Sequence, residues 1–147
     1  IAMTSDGTPW RPLVHVGDIC EAVRCALVAP LDAIRGQILN VGMDSENYQV
    51  RQIAETVAQA FPGCELSFGA PSKDNRSYRV GFGKIKRVLG FEGRWNAQAG
   101  ARQLRRLFGR IQMSRDTYEF RAFTRLKQLK YLQATDQIDA EFYWRPT

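Results

Sequence analysis

The sequence predicts a mixed α/β fold that is rich in helix and has few, short strands. Three observations carry this. Apolar residues recur at helical spacing in several long stretches, whereas strand-like runs are brief and bounded by Gly, Pro or polar residues. The 147 residues suffice for one hydrophobic core or part of a larger one. The hydrophobic share is 44% and the charged share 24%, ordinary for a globular protein. So few strands would not make a self-sufficient α/β layer. A subdomain that packs against a partner is therefore expected. A chain that starts at Ile1, close to the turn signal Asp6-Gly7-Thr8-Pro9, fits the same expectation of a piece of something longer.

In chain order, Trp10 to Val16 reads as a short strand with apolar Leu13, Val14 and Val16. Asp18 is expected to open and cap a helix whose apolar face is Ile19, Ala22, Val23, Ala26 and Leu27, ended by Pro30. Residues 37–42 read as a strand running into a loop at Gly42. Asn47 is expected to cap a helix over 48–61, with Val50, Ile53, Ala54, Val57, Ala58 and Phe61 inward and Pro62-Gly63 as the stop. A short strand over 65–68, a polar loop over 70–77 and an extended piece over 78–80 follow. A brief helix spans 83–89, stopped by Gly90, and a longer one 97–111 carries Leu104, Leu107, Phe108 and Ile111 on its apolar face. The tail starts at Ser114 and has a periodic stretch over 124–132.

Several function classes drop out. No apolar run approaches the roughly 20 residues of a membrane span, and Ile1-Ala2-Met3 does not begin a secretory signal. Cys20, Cys25 and Cys64 are odd in number, have no metal-ligand spacing, and read as reduced thiols of a cytoplasmic protein. His15, the single histidine, cannot build a His-rich metal site. The net charge of +6 is uneven, because residues 76–110 hold ten Lys and Arg against the lone acid Glu92. A basic middle invites an anionic partner, the phosphates of a small ligand or a nucleic acid.

The stretch Asp6-Gly7-Thr8-Pro9-Trp10-Arg11-Pro12-Leu13-Val14-His15-Val16-Gly17-Asp18-Ile19 resembles the D-G-x-x-x-R-x-x-x-H-V-x-D pattern of extended short-chain dehydrogenases, the NAD-dependent epimerase/dehydratase family. Asn40-Val41-Gly42 is similar to the family's N-x-G after a strand. Arg76 to Val80, then Lys84-Ile85 through Leu89-Gly90-Phe91, resemble its late strand and short helix. Gly17 stands where the family often has an acid. The tail, with Phe123 to Lys127, Ile138-Asp139 and Phe142-Tyr143-Trp144, is similar to an extension in some bacterial members. The resemblance implies a substrate-binding portion over 1–112, a helical extension over 113–147, and a Rossmann core largely absent. It implies that NAD(P) is bound by a missing N-terminal Rossmann domain. The family's Gly-rich fingerprint and Tyr-x-x-x-Lys pair do not occur here. The chain alone is not expected to be active, and no catalytic, cofactor-binding or metal-binding residue is assigned to it.

Arg11 is the first candidate site residue, since a guanidinium matches phosphate geometry with a rigid fork of donors. The resemblance places it where the family's arginine grips the diphosphate of a nucleotide sugar. Arg76 is the second, with Lys73 and Arg79 as rivals. Asn40, at a predicted strand end, is the third. His15 is read as a packed or backbone-bonded residue. The implied parent is an epimerase, dehydratase or reductase, that is an isomerase, lyase or oxidoreductase, acting on a nucleoside-diphosphate sugar. Two other readings stand beside it. One is a stand-alone nucleic-acid-binding module using Lys84, Lys86, Arg87, Arg94, Arg102, Arg105, Arg106 and Arg110, with Phe108 more a core residue than a stacking platform. The other is a non-catalytic interaction or scaffold domain whose exposed apolar faces form a homodimer.

Overall fold

The computed structural model describes residues 1–71 and 76–145. It is mixed α/β and helix-rich, as the sequence predicts, and among the described residues its one sheet has two strands. Strand β1 (Trp10–Pro12) pairs antiparallel with β2 (Asn47–Gln49), setting Arg11 opposite Tyr48. Helix α1 (Val16–Val28) follows β1, and a short α2 (Leu31–Ile34) follows Pro30. Helix α3 (Val50–Ala60) leaves directly from β2, α4 is Gly83–Leu89, and α5 is Ala97–Arg110. Helices α6 (Arg115–Glu119) and α7 (Arg125–Ala134) lie in the tail.

The chain divides into two compact units, Ile1–Arg106 and Leu107–Thr147. The first is centred on Ala22 of α1, Phe82, Ile85 of α4 (1% exposed) and Phe91, with Leu39, Val41, Val80 and Leu89 packed around them. In the second, Ile138 is buried. There Asp139 Oδ1 accepts from the amides of Glu141 and Tyr143, closing a turn that lets Ile138 bridge Trp144. The Arg121 guanidinium lies 3.8 Å from the Tyr131 ring centre.

Several expectations are corrected. Asp18 does not cap α1; His15 does, its Nδ1 accepting from the Gly17 amide at 3.0 Å. Asn47 caps no helix either. It belongs to β2, and α3 starts three residues later, where the Gln52 side chain accepts from the Gln49 amide at 2.8 Å. Residues 37–42 form no strand, because an extended segment becomes one only when a neighbour takes its backbone groups. Residues 65–68 reduce to a single bridge between Ser67 and Ala2. The limits of α4 match the sequence reading, with Gly90 in the left-handed conformation its C-cap requires.

Candidate functional site

Neighbouring residues on a strand point to opposite faces, so β1 sends Trp10 and Arg11 apart. Arg11 Nη1 donates to the carbonyls of Trp10 at 2.7 Å and Arg76 at 2.6 Å. Its guanidinium carbon lies 5.3 Å from the centre of the Tyr78 ring. Nε and Nη2 take no hydrogen-bond partner among the described residues.

Arg76 reaches Arg11 from 65 positions away because side chains of Ser77 and Asn47, with one main-chain bond, hold segment 76–80 alongside β1 and β2 in place of a strand ladder. Ser77 Oγ accepts from the Trp10 amide at 3.0 Å, and the Tyr78 amide donates to the Trp10 carbonyl at 3.4 Å. Asn47 brackets Val80, donating to its carbonyl at 3.0 Å and accepting from its amide at 2.9 Å, while also donating to the Asp44 carbonyl at 3.1 Å. A primary amide thus serves as one rung of a ladder.

The rivals separate. The Arg79 guanidinium lies over the Trp10 ring at 4.7 Å, on the side of the strand away from Arg11. Lys73 lies outside the described residues. Asn40 is exposed and helps line a hollow of about 200 Å3 with Pro12, Leu13, Val14, Val41, Val80 and Phe82. That hollow begins one residue beyond Arg11, and among the described residues no hydrogen bond joins Asn40 to either arginine.

His15 is packed, as expected. Its Nδ1 accepts from Gly17, so Nε2 carries the proton and donates to Gln103 Oε1 at 2.7 Å. Its ring stacks on Trp95 with centres 4.0 Å apart. It borders an apolar cavity of about 260 Å3 between the β1–α1 connection, α3 and α5.

Two carboxylates are buried; Asp18 was read from the sequence only as a helix cap, and Glu46 was not singled out. Asp18, 4% exposed, accepts from the amides of Arg94 at 3.0 Å and Trp95 at 3.1 Å. Glu46, 6% exposed, accepts from Tyr48 Oη at 2.7 Å and the Ala97 amide at 3.1 Å, the latter at the start of α5. Burial first, and then the bond to Glu46, push the Tyr48 hydroxyl up to about 12. Because Gly93 has no side chain, Asp18 approaches closely; a Cβ there would lie 2.9 Å from Oδ2.

The starts of α1, α3 and α5 are already occupied by His15, Gln52 and Glu46, and the Phe82 amide at the start of α4 donates to Asp44 Oδ1 at 2.8 Å. Among the described residues no group of His, Cys, Asp and Glu could hold a metal ion, and no helix is long and apolar enough to cross a membrane.

Residues 1–42 match the model of the NAD dependent epimerase/dehydratase family. This segment carries the epimerase/dehydratase sequence pattern. Two solved structures are similar to the chain. MoeE5 in complex with UDP-glucuronic acid and NAD is 26% identical, with a TM-score of 0.53, over 69% of this chain and 33% of its own. A short-chain dehydrogenase/reductase superfamily protein from Agrobacterium tumefaciens with bound NAD is 22% identical, with a TM-score of 0.56, over 76% of this chain and 35% of its own. The second likeness is one of fold alone. The chain spans about a third of the length of these two proteins. No curated protein matches it.

Proposed function

We propose that this chain is the nucleotide-sugar-binding, C-terminal part of an NAD(P)-dependent epimerase, dehydratase or reductase. The observation that carries the reading is the bond from the Arg11 guanidinium to the main-chain carbonyl of Arg76, which brings the backbone of a second arginine beside Arg11 from 65 positions away. Two guanidinium groups neutralise a diphosphate, and the Nε–Nη2 edge of Arg11 is the edge that takes two phosphate oxygens at once. Asn40, in the adjoining hollow, is assigned to the nucleotide or sugar. The substrate-binding portion is residues 1–112 and the helical extension residues 113–147.

The likeness to MoeE5, whose structure holds UDP-glucuronic acid and NAD, supports a uridine-diphosphate sugar as the first substrate to try. When bound, NAD(P) supplies transient oxidation of a sugar carbon. This chain's own residues bind and orient the diphosphate and hold no proton of that reaction. The helix starts already taken up by side chains support the view that an N-terminal Rossmann domain binds the cofactor. The exposed apolar stripe of α1, with Leu27 at 80% and Val23 at 54%, and nearby Ile38 at 85%, is the face such a domain covers. Three free cysteines fit a cytoplasmic setting.

The test is Arg11→Ala in the enzyme that carries this chain, with UDP-glucuronic acid as probe. Loss of two charge-assisted hydrogen bonds is expected to raise the Michaelis constant by roughly ten- to a hundredfold while NAD(P) affinity is kept. Unchanged substrate affinity overturns the reading.

A second reading draws on Arg102, Arg105 and Arg106, exposed on α5 with no ion-pair partner among the described residues. A basic module of this kind binds nucleic acid with steep salt dependence. The stacking of Trp95 on His15 takes away its best platform for a base. A DNA or RNA titration that stays flat at low salt removes this reading.

A further inference from the structure

An arginine fork binds a phosphate well only if its plane is already set, because ordering a long side chain otherwise costs rotamer entropy on binding. Arg11 is set from two directions. Its Nη1 is spent on the carbonyls of Trp10 and Arg76, which fixes one end of the guanidinium in the plane of two acceptors. These in-plane bonds act at the edge of the guanidinium and leave its flat faces to other groups. The Tyr78 ring, 5.3 Å from the guanidinium carbon, is the group that lies against the cation from the side.

Tyr78 is itself anchored by its backbone rather than its side chain. Its amide donates to the Trp10 carbonyl, and the flanking Ser77 and Val80 are tied to Trp10 and Asn47. The ring is half exposed and its hydroxyl takes no hydrogen-bond partner among the described residues, so the core makes no demand on it. An aromatic residue kept against a cation on an open surface, with its polar end unused, serves the cation.

We infer that Tyr78 is a positioning residue for Arg11: its ring holds the guanidinium so that the Nε–Nη2 edge faces the diphosphate. This inference rests on the reading of Arg11 given above. The hydroxyl has no part in it, so the ring alone suffices.

Tyr78→Phe and Tyr78→Leu separate the ring from the hydroxyl and from mere bulk, and a half-exposed position tolerates both. The first measurement needs no ligand. The Nε–H resonance of Arg11, assigned by its loss in Arg11→Lys, reports how firmly the side chain is held. It is expected to persist in Tyr78→Phe and to broaden or collapse toward free-arginine values in Tyr78→Leu. The second measurement is calorimetric titration with UDP-glucuronic acid. Tyr78→Leu is expected to weaken binding by roughly two- to fivefold, as loss of one exposed cation–π contact implies, and Tyr78→Phe to restore it. An unchanged Arg11 resonance in Tyr78→Leu overturns the inference. So does a Phe variant that binds as poorly as Leu while keeping the resonance, because the hydroxyl then touches the ligand directly. If Arg11→Ala also leaves binding intact, the diphosphate reading itself falls; if Arg11→Ala abolishes binding and Tyr78→Leu does not alter it, only the positioning role falls.

Discussion

Replacing Asp18 by Ala tests how the first unit is held together. The carboxylate accepts two backbone amides, Arg94 and Trp95, from a segment some 76 positions away. Each is a hydrogen bond to a charged acceptor, with a net value of about 1.5–3 kcal/mol when partly shielded from water. Arg94 is exposed and water can reach part of that segment, so the lower half of the range applies to each of the two bonds, and Asp18→Ala is expected to cost about 3–4.5 kcal/mol. Asp18→Asn gives a second, sharper measure. An amide keeps one acceptor and turns a donor toward the other N–H, so it recovers no more than about half of the loss. A residue serving only the positive end of α1 predicts otherwise: a loss of about 0.3–1 kcal/mol that fades with salt. The assay is urea unfolding of both variants, with the slope checked against the parent so that only the midpoint is read. A loss below about 1 kcal/mol for Ala, or one that disappears in salt, refutes the tie to residues 94–95.

Two further outcomes follow from the same geometry. Gly7→Ala is expected to lower the thermal midpoint by about 4–8 °C, because φ is +76° and the new Cβ would lie 2.8 Å from Arg51 Cβ; about 2 kcal/mol of backbone and steric strain predicts that shift. A melt that coincides with the parent's removes the close approach as a constraint. Tyr48, pushed up to about 12 from an ordinary 10.0, contributes stability that is complete below about pH 10 and lost as pH rises through about 12. Tyr48→Phe is expected to be less stable near neutrality and to lose less stability over that alkaline window; parallel pH–stability curves for the two proteins would contradict it.

The helices were legible because their signal is local. The apolar spacing over 83–89 and the glycine after it define α4 without reference to the rest of the chain. The strands were not, because a strand is a relation between two segments. Gln37 to Gly42 has the right side chains, yet among the described residues no strand pairs with it, whereas three residues at Asn47 become β2 because Trp10 to Pro12 lies alongside. Short polar side chains were misread for a related reason. Asp18 and Asn47 both stand just where a cap would, and a cap is the only local use a sequence can show for them. Their actual partners, Arg94–Trp95 and Val80, are separated from them by 76–77 and 33 positions.

The candidate site shares this property, and that sets what can disturb it. Arg11 was visible through its motif, but its meeting with Arg76 depends on Ser77 Oγ and on the Asn47 amide standing in for ladder bonds. A ladder spreads its register over many backbone groups that substitution leaves in place. Here one long backbone bond, from the Tyr78 amide to the Trp10 carbonyl, is supplemented by two side chains, each removable by one change. The core of Ala22, Phe82, Ile85 and Phe91 is built from different residues. Substitutions at Asn47 and Ser77 therefore act on the mutual placement of Arg11 and Arg76 more than on the packing of the unit, which makes this strip of chain the place where binding and folding come apart.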